Sequence, residues 1–322
     1  MMQEPIRKMN VGRIWRSVSS GKEDRVALVD ETKPTAERIT FGEIEDRANR
    51  FANGLLEFGL EPGDSFATMM NNSAEFFYCF FGAAKAGITI CPLHIQRTSE
   101  NLAHQLDRVA APLIVSDDVL LEKTNDVVAE SEQEISTFVH PVSGGSVANE
   151  TELSEFLSDD TTQPEVDVGD HDIFQVLFTS GTTGEPKGVQ ISHTNVYTGS
   201  VNWALDLPDL DRNAVLGQWL PIFHNGGHWS TFGSWLAGAS VVLQRGYEAE
   251  AVARAIEEYD ITHVWGHPTM FPPLLDLAEQ YDISSLDLIN YAMAPMPMEI
   301  REAFDERFDV KTMSGESLEH GI

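Results

Sequence analysis

"LFTSGTTGEPKGVQISH", Leu177 to His193, crowds hydroxyls, glycines and one lysine directly behind an apolar run. The apolar run reads as a buried strand, and "HTNVYTGSVNWALDL", His193 to Leu207, reads as a helix. Strand, Gly-rich loop and helix in that order form the setting in which backbone N–H groups receive a phosphate. A Gly/Thr-rich surface hairpin is the plain structural alternative. Two phosphate loops are excluded by residue order. Lys187 is followed by Gly188, where a P-loop requires Ser or Thr. Gly181, Gly184 and Gly188 do not have the spacing of a dinucleotide fingerprint.

The flanking sequence alternates between helical and strand-like runs. In "TFGEIEDRANRFANGLLEFGLEPGD", Thr40 and Glu43 have capping-box spacing, and Ile44, Ala48, Phe51, Leu55 and Phe58 form one apolar stripe. Gly59 and Pro62-Gly63 stop that helix. "SFATMM", "ITICPL" and "LIVSD" read as strands, separated by the helices "EFFYCFFGAAKAG" and "TSENLAHQLDRVA". From about residue 142 to 172 the chain turns acidic and rich in turn formers, a surface connection with room for one short helix. The rhythm resumes with the strands "IFQVLFTS", "AVLGQWLP", "ASVVLQ", "ITHVWG", "DLINYAMA" and "DVKTM", with helices between them, "HWSTFGSWLAG" and "PMEIREAFDERF" included. The expected class is α/β, with two packed α/β subdomains at 1–165 and 166–322, mainly parallel sheets and covering helices.

Charge narrows the function. The 322 residues hold 21 Lys+Arg against 51 Asp+Glu, a net charge of −30. Such a surface repels nucleic acid and anionic lipid, and its self-repulsion opposes folding unless ions screen it. A protein of a salt-rich cytoplasm is the expectation. Cys79 and Cys91 sit in apolar surroundings and read as reduced core residues. The longest apolar run, "FFYCFFGAA", is too short to span a bilayer. His224 and His228 lie four apart, as do His263 and His267, but Gly226-Gly227 and Gly266 read as breaks in any helix that would align them on a metal.

"TSGTTGEPKGV", Thr179 to Val189, resembles the phosphate-binding signature of the acyl-adenylate-forming superfamily, the AMP-dependent synthetases and ligases that include the acyl-CoA synthetases. "LPIFHNGG" is similar to that family's Pro-x-x-His motif, "HVWGHPTMF" to its acyl-tunnel wall, and "NYAMAPMP" to its adenine-binding Gly-Gly-Ala-Pro stretch. The resemblance covers nearly the whole chain and implies the large N-terminal domain of such an enzyme.

The resemblance further implies a two-step reaction, in which a fatty or aromatic carboxylate is adenylated by ATP and then passed to coenzyme A. Joining two anions requires neutralised charge and fixed geometry. Thr179, Ser180, Gly181, Thr182, Thr183, Gly184 and Lys187 would hold the phosphates, Lys187 being one of seven lysines in a very acidic chain. Ala292, Met293, Ala294 and Pro295 would hold the adenine, with Ala292 and Met293 where glycines are common. His224 would line the carboxylate site. Glu316 would serve catalysis and Mg²⁺, because a hard cation needs an oxygen ligand. That register leaves Gly315 where the family has threonine, whereas placing Ser317 there puts Leu318 on the glutamate.

Family chains continue for roughly two hundred residues more, the scale of a further domain. That part carries the adenylating lysine and the lid, so weak or no turnover is expected of this chain unless such a C-terminal domain acts in trans. A non-catalytic ATP- or acyl-binding remnant and an adenylation domain serving a carrier protein are the alternatives. The salt expectation is directly testable: the urea midpoint should rise as KCl is raised from about 0.1 M to about 2 M, and a flat or falling midpoint would remove it.

Overall fold

The capping-box helix forms where its residue spacing places it. In the computed structural model, which describes residues 9–142, 150–179 and 186–314, the Thr40 side chain accepts from the Glu43 N–H and the Glu43 carboxylate accepts from the Thr40 N–H. Gly59 closes the helix in the left-handed region at φ 103°. Ile44, Ala48, Phe51 and Leu55 are buried, whereas Phe58, expected in the same stripe, is 38% exposed at the last turn.

In chain order the helices are α1 (Val11–Ser19), α2 (Phe41–Phe58), α3 (Ala74–Ala86), α4 (Ser99–Val109), α5 (Leu121–Glu130), α6 (Leu153–Phe156), α7 (His193–Asp206), α8 (Asn225–Ala237), α9 (Ala249–Tyr259), α10 (Pro272–Leu277) and α11 (Met298–Phe308). The strands are β1 (Val26–Asp30), β2 (Glu37–Thr40), β3 (Ser65–Met69), β4 (Thr89–Pro92), β5 (Leu113–Asp117), β6 (Ser136–His140), β7 (Thr151–Glu152), β8 (Ile173–Thr179), β9 (Lys187–Ser192), β10 (Val215–Gln218), β11 (Ser240–Leu243), β12 (His263–Gly266), β13 (Leu288–Tyr291) and β14 (Lys311–Ser314).

Among the described residues these strands form two seven-stranded sheets, ordered β14-β13-β12-β10-β11-β1-β2 and β7-β6-β5-β3-β4-β8-β9. All pairings are parallel except the edge hairpins β1–β2 and β8–β9. The expected class therefore holds: α/β, mainly parallel, with helices on both faces. The expected halves 1–165 and 166–322 do not coincide with the sheets, because β1 and β2 join the sheet of β10–β14, and β8 and β9 join the sheet of β3–β7. Helices α1, α2, α3, α7 and α8 lie between the sheets and share one core with their inner faces. Helices α9–α11 cover the outer face of the first sheet, and α4 and α5 that of the second.

This layering explains α3, whose sequence is apolar all round. Phe76, Phe77, Phe80 and Phe81 are all fully buried because the helix meets neighbours on every side. Phe81 stacks on Trp15 of α1 at 4.2 Å, Phe77 meets Trp235 of α8 edge-on at 4.9 Å, and Phe80 meets Phe174 of β8 at 4.7 Å. Lys85, the one basic residue of this helix, is buried and paired with Glu45 of α2 at 2.6 Å.

Two sequence expectations need correction. The loop after β8 does not lead straight into a helix: β9 intervenes and pairs antiparallel with β8, Thr179 opposite Lys187. Its residues 187–190 are exposed, so it has no apolar pattern to announce it, and backbone pairing alone defines it. Nor do Gly226 and Gly227 break a helix, since both lie within the first turn of α8. They are small because space demands it: a Cβ on Gly227 would stand 2.3 Å from the Pro221 carbonyl oxygen.

One side chain, Asn72, joins the loops that leave the two sheets. Asn72, in the loop after β3, donates to the carbonyls of Leu220 (3.0 Å) and Gln244 (2.8 Å) and accepts from the Ile222 N–H (3.0 Å). Replacing it (Asn72→Ala) leaves three buried backbone groups unpaired and should cost about 3 kcal/mol in urea unfolding, whereas Asn53→Ala, at a half-buried residue whose two bonds go to solvent-exposed carbonyls, should cost less than about 1 kcal/mol.

Candidate active site

In an open parallel sheet, ligands bind beyond the strand C-termini where the strand order reverses. The first sheet reverses at β10, whose neighbours β11 and β12 lie on opposite sides, and the second reverses at β3, between β4 and β5. The chain leaving β10 is Trp219 to His224 and the chain leaving β3 carries Asn72, so the Asn72 bonds join the two reversal points.

Beside that joint lies a cavity of about 430 Å³. Pro92, His94 and Arg97 line it from the end of β4, Leu177 to Thr179 from the end of β8, and Phe223 to Gly226 from the start of α8. Thr179 and His224 thus face one space although the chain separates them by 45 residues, 224 minus 179.

His224 and His228 separate cleanly in role. His228 is fully buried, its Nδ1 donating to the Ile222 carbonyl (2.8 Å) and its Nε2 meeting the Gln175 amide (3.1 Å). Burial holds its pKa down at about 4, so it is a neutral imidazole tying α8 to β8. His224 caps the N-terminus of α8 by backbone only, and its ring makes no hydrogen bond among the described residues. It packs edge-on against His94 (4.8 Å) and at a tilt against Phe223 (4.8 Å). Burial, then His94 and Arg97, lowers its pKa. The other pair also diverges: His263 bonds Thr262 (2.8 Å) and the Pro208 carbonyl (3.0 Å), and His267 bonds Thr269 (2.9 Å). With its ring nitrogens committed to protein partners, neither His228 nor His263 is open to a metal, and no cluster of three or more His, Cys, Asp and Glu stands together among the described residues.

Gln218 shapes the His224 loop, donating from Nε2 to the Gly227 carbonyl (2.8 Å) and accepting from the Leu220 N–H (2.9 Å). On the hairpin, Lys187 is exposed and has no ion pair among the described residues, in a chain with 51 acids. Ser180, Gly181, Thr182, Thr183, Gly184 and Glu316 lie outside the described residues.

The expected adenine segment leaves the C-terminal end of β13, at the same sheet edge. Ala292 is buried and donates to the Gly266 carbonyl at 3.3 Å. Met293 takes the left-handed conformation at φ 73°, which glycine adopts freely and an L side chain does at a cost of roughly 1–2 kcal/mol. Its side chain points outward, 57% exposed, instead of filling a slot. Ala294 is half-buried and Pro295 exposed. His94 and Arg97 escape a motif-based reading. Their signal is local charge: Pro92 to Ser99 carries a histidine and an arginine and no acid, within a chain of net charge −30.

The sequence profile described as "AMP-binding enzyme" matches residues 15–315. The 4-coumarate–CoA ligase 3 of Arabidopsis thaliana is 30% identical over 287 residues, covering 85% of this chain and 49% of that protein. The crotonobetaine/carnitine–CoA ligase of Proteus mirabilis is 26% identical over 98% of this chain and 62% of its own length. The chain thus spans about half to three-fifths of these curated relatives. The crystal structure of the N-terminal domain of FACL13 from Mycobacterium tuberculosis superposes with a TM-score of 0.85 at 23% identity, over 95% of this chain and 75% of that one.

The neutral state of His228 has a pH consequence. Above about pH 6.5 the imidazole is neutral folded or unfolded; below it the unfolded chain takes the proton first, so stability is lost down to about pH 4. The loss is on the order of 3 kcal/mol for this group. His193, held at about 4 by burial, adds in the same direction. The urea midpoint should therefore fall between pH 7 and pH 4.5, and fall less in His228→Gln.

Proposed function

Because this chain belongs to the AMP-binding enzyme family, we propose that it is the nucleotide- and acyl-binding body of an acyl-CoA synthetase, an AMP-forming acid–thiol ligase. The single observation that carries this is the shared cavity. It is lined both by Thr179, the first residue of the signature, and by His224, whose imidazole has no hydrogen bond among the described residues. In this reading ATP phosphates lie at the tip of the β8–β9 hairpin, against Thr179, Ser180, Gly181, Thr182, Thr183, Gly184 and Lys187. The adenine lies along Ala292, Met293, Ala294 and Pro295. The left-handed Met293 supports that placement, since strained backbone persists where surrounding structure enforces it for function.

The acid enters beside His224. A neutral imidazole offers it one N–H without adding a charge that would fix the carboxylate in place. The walls formed by Phe178 and Phe223 fit a fatty or aromatic tail. A carboxylate oxygen attacks the α-phosphorus, the bond to the bridging oxygen breaks, and pyrophosphate leaves; the thiol sulfur of coenzyme A then attacks the acyl carbon, its proton is released, and AMP departs. Lys187 and the loop N–H groups offset the negative charge of the first step. Glu316 would hold Mg²⁺, a hard cation that would supply further neutralisation. Relatives named as coenzyme A ligases support the thiol acceptor. A cytoplasmic, salt-rich setting completes the proposal.

Titration calorimetry with ATP tests it. Lys187→Ala should weaken ATP binding by about tenfold or more, the value of a charge-assisted contact, and unchanged binding would overturn the phosphate assignment. Carboxylate-dependent pyrophosphate exchange should be weak for the chain alone and rise when a family C-terminal domain is supplied in trans.

A further inference from the structure

A second cavity, of about 340 Å³, opens at the C-terminal end of β6. Helices α2, α3 and α6 wall it, and it shares no lining residue with the cavity at His224. The two lie on opposite sides of β3, where the second sheet reverses: one beside β4 and β8, the other beside β6 and β7. Its volume falls at the small end of ligand pockets, which run from roughly 300 to 1,000 Å³.

The lining is built around ion pairs. Lys33, from the turn between β1 and β2, pairs with Glu37 (2.5 Å) and Glu75 (3.0 Å), and Arg47 pairs with Glu37 (3.1 Å). His140, the last residue of β6, sets its Nε2 3.2 Å from Glu75. Burial opposes the protonated imidazole, Glu75 and then Asp117 favour it, and Lys33 opposes it; the balance raises the His140 pKa. With Arg50 and Glu152 also in the lining, four cations face three carboxylates. The cavity thus carries one positive charge in excess, within a chain of net charge −30.

Two donors of this lining are left over. His140 is 8% exposed, and with Nε2 given to Glu75 its Nδ1–H has no partner among the described residues. Tyr78, on α3 and 4% exposed, accepts from Arg47 through its hydroxyl, whose own proton has no acceptor among the described residues. Buried donors are nearly always paired, and these two border open volume where a ligand can reach them. Phe51, Cys79, Pro141, Leu153 and Leu157 supply an apolar wall. Two donors and one excess positive charge match a ligand with acceptor atoms and a single negative charge. A dianion would leave a charge unbalanced beside Glu37 and Glu75, and an ammonium would bring donors to donors. The apolar wall fits a hydrocarbon body.

We propose that this cavity is a second ligand site, which binds a monocarboxylate with a small apolar body, the carboxylate accepting from His140 Nδ1 and from the Tyr78 hydroxyl. The proposal stands apart from the adenylate reading, since none of its residues lines the His224 cavity. The ligand would rest on the first turns of α3, and Glu75 lies three residues after Asn72, so the site adjoins the joint between the sheets.

Fluorine NMR of the full chain at constant KCl tests it, with 4-fluorobenzoate and 5-fluoropentanoate as probes and their primary amides as neutral isosteres. At least one acid should bind about tenfold or more tighter than its amide, the value of charge-assisted contacts. Tyr78→Phe keeps the ring and removes the O–H; it should weaken that acid about tenfold and leave the amide within about twofold. His140→Gln should bring acid and amide within about twofold of each other, and if that variant does not fold, Tyr78→Phe decides. A bound acid signal should persist in His224→Ala. Failure of both acids to bind, or amides that bind as tightly as the acids, overturns the site. So does an acid affinity unmoved in both Tyr78→Phe and His140→Gln, which assigns the bound acid to the His224 cavity. Acetate displacing the probes at equal concentration overturns the apolar body. ATP binding and pyrophosphate exchange do not enter these readouts, so this site and the adenylate reading fail separately.

Discussion

The amide of Asn72 is the constraint on which the rest of the site depends. It is a buried polar side chain, and every hydrogen-bonding position it uses goes to backbone at the ends of the opposite sheet's strands. Because the two sheets reverse strand order at β3 and β10, the bonds tie together the two edges where parallel α/β sheets leave a crevice. Apolar packing of α3 between the sheets supplies adhesion, which has little directional preference. Asn72 supplies register. His228 repeats the device one layer over, linking the Ile222 carbonyl to Gln175 of β8, so the Pro221–Gly227 segment is held from both sides and His224 is left free at its tip.

The electrostatics of the site run against those of the chain. The chain carries a net charge of −30, while Arg97, His94 and His224 line the cavity and Lys187 lies on the adjoining hairpin, none with a carboxylate partner among the described residues. Elsewhere Glu75 is held well below the usual carboxylate range, at about 2, with His140 at 3.2 Å and Lys33 at 3.0 Å.

Much of the fold was legible from local pattern. The α2 capping box, the all-apolar α3 and the apolar strands β3, β4, β5 and β8 announce themselves because local spacing and burial agree in them. The elements that escaped are those whose stability comes from elsewhere. Helix α5 carries few apolar residues, β6 is half-exposed, and β9 is exposed along residues 187–190. Gly226 and Gly227 read as breakers because sequence shows glycine's flexibility and hides its smallness; here a carbonyl and an indole ring press against them inside a helix.

By itself, the sequence determined the class of the fold, the phosphate-loop signature and the candidate His224, because each is written in contiguous residues whose spacing has local physical meaning. The tertiary structure alone decided the exchange of β1–β2 and β8–β9 between the sheets, the opposite fates of His224 and His228, and the presence of His94 and Arg97 in the cavity. Those facts depend on which residues distant in sequence meet across the crevice. Such meetings are set by the summed packing of both sheets on α3, a quantity that no local window contains.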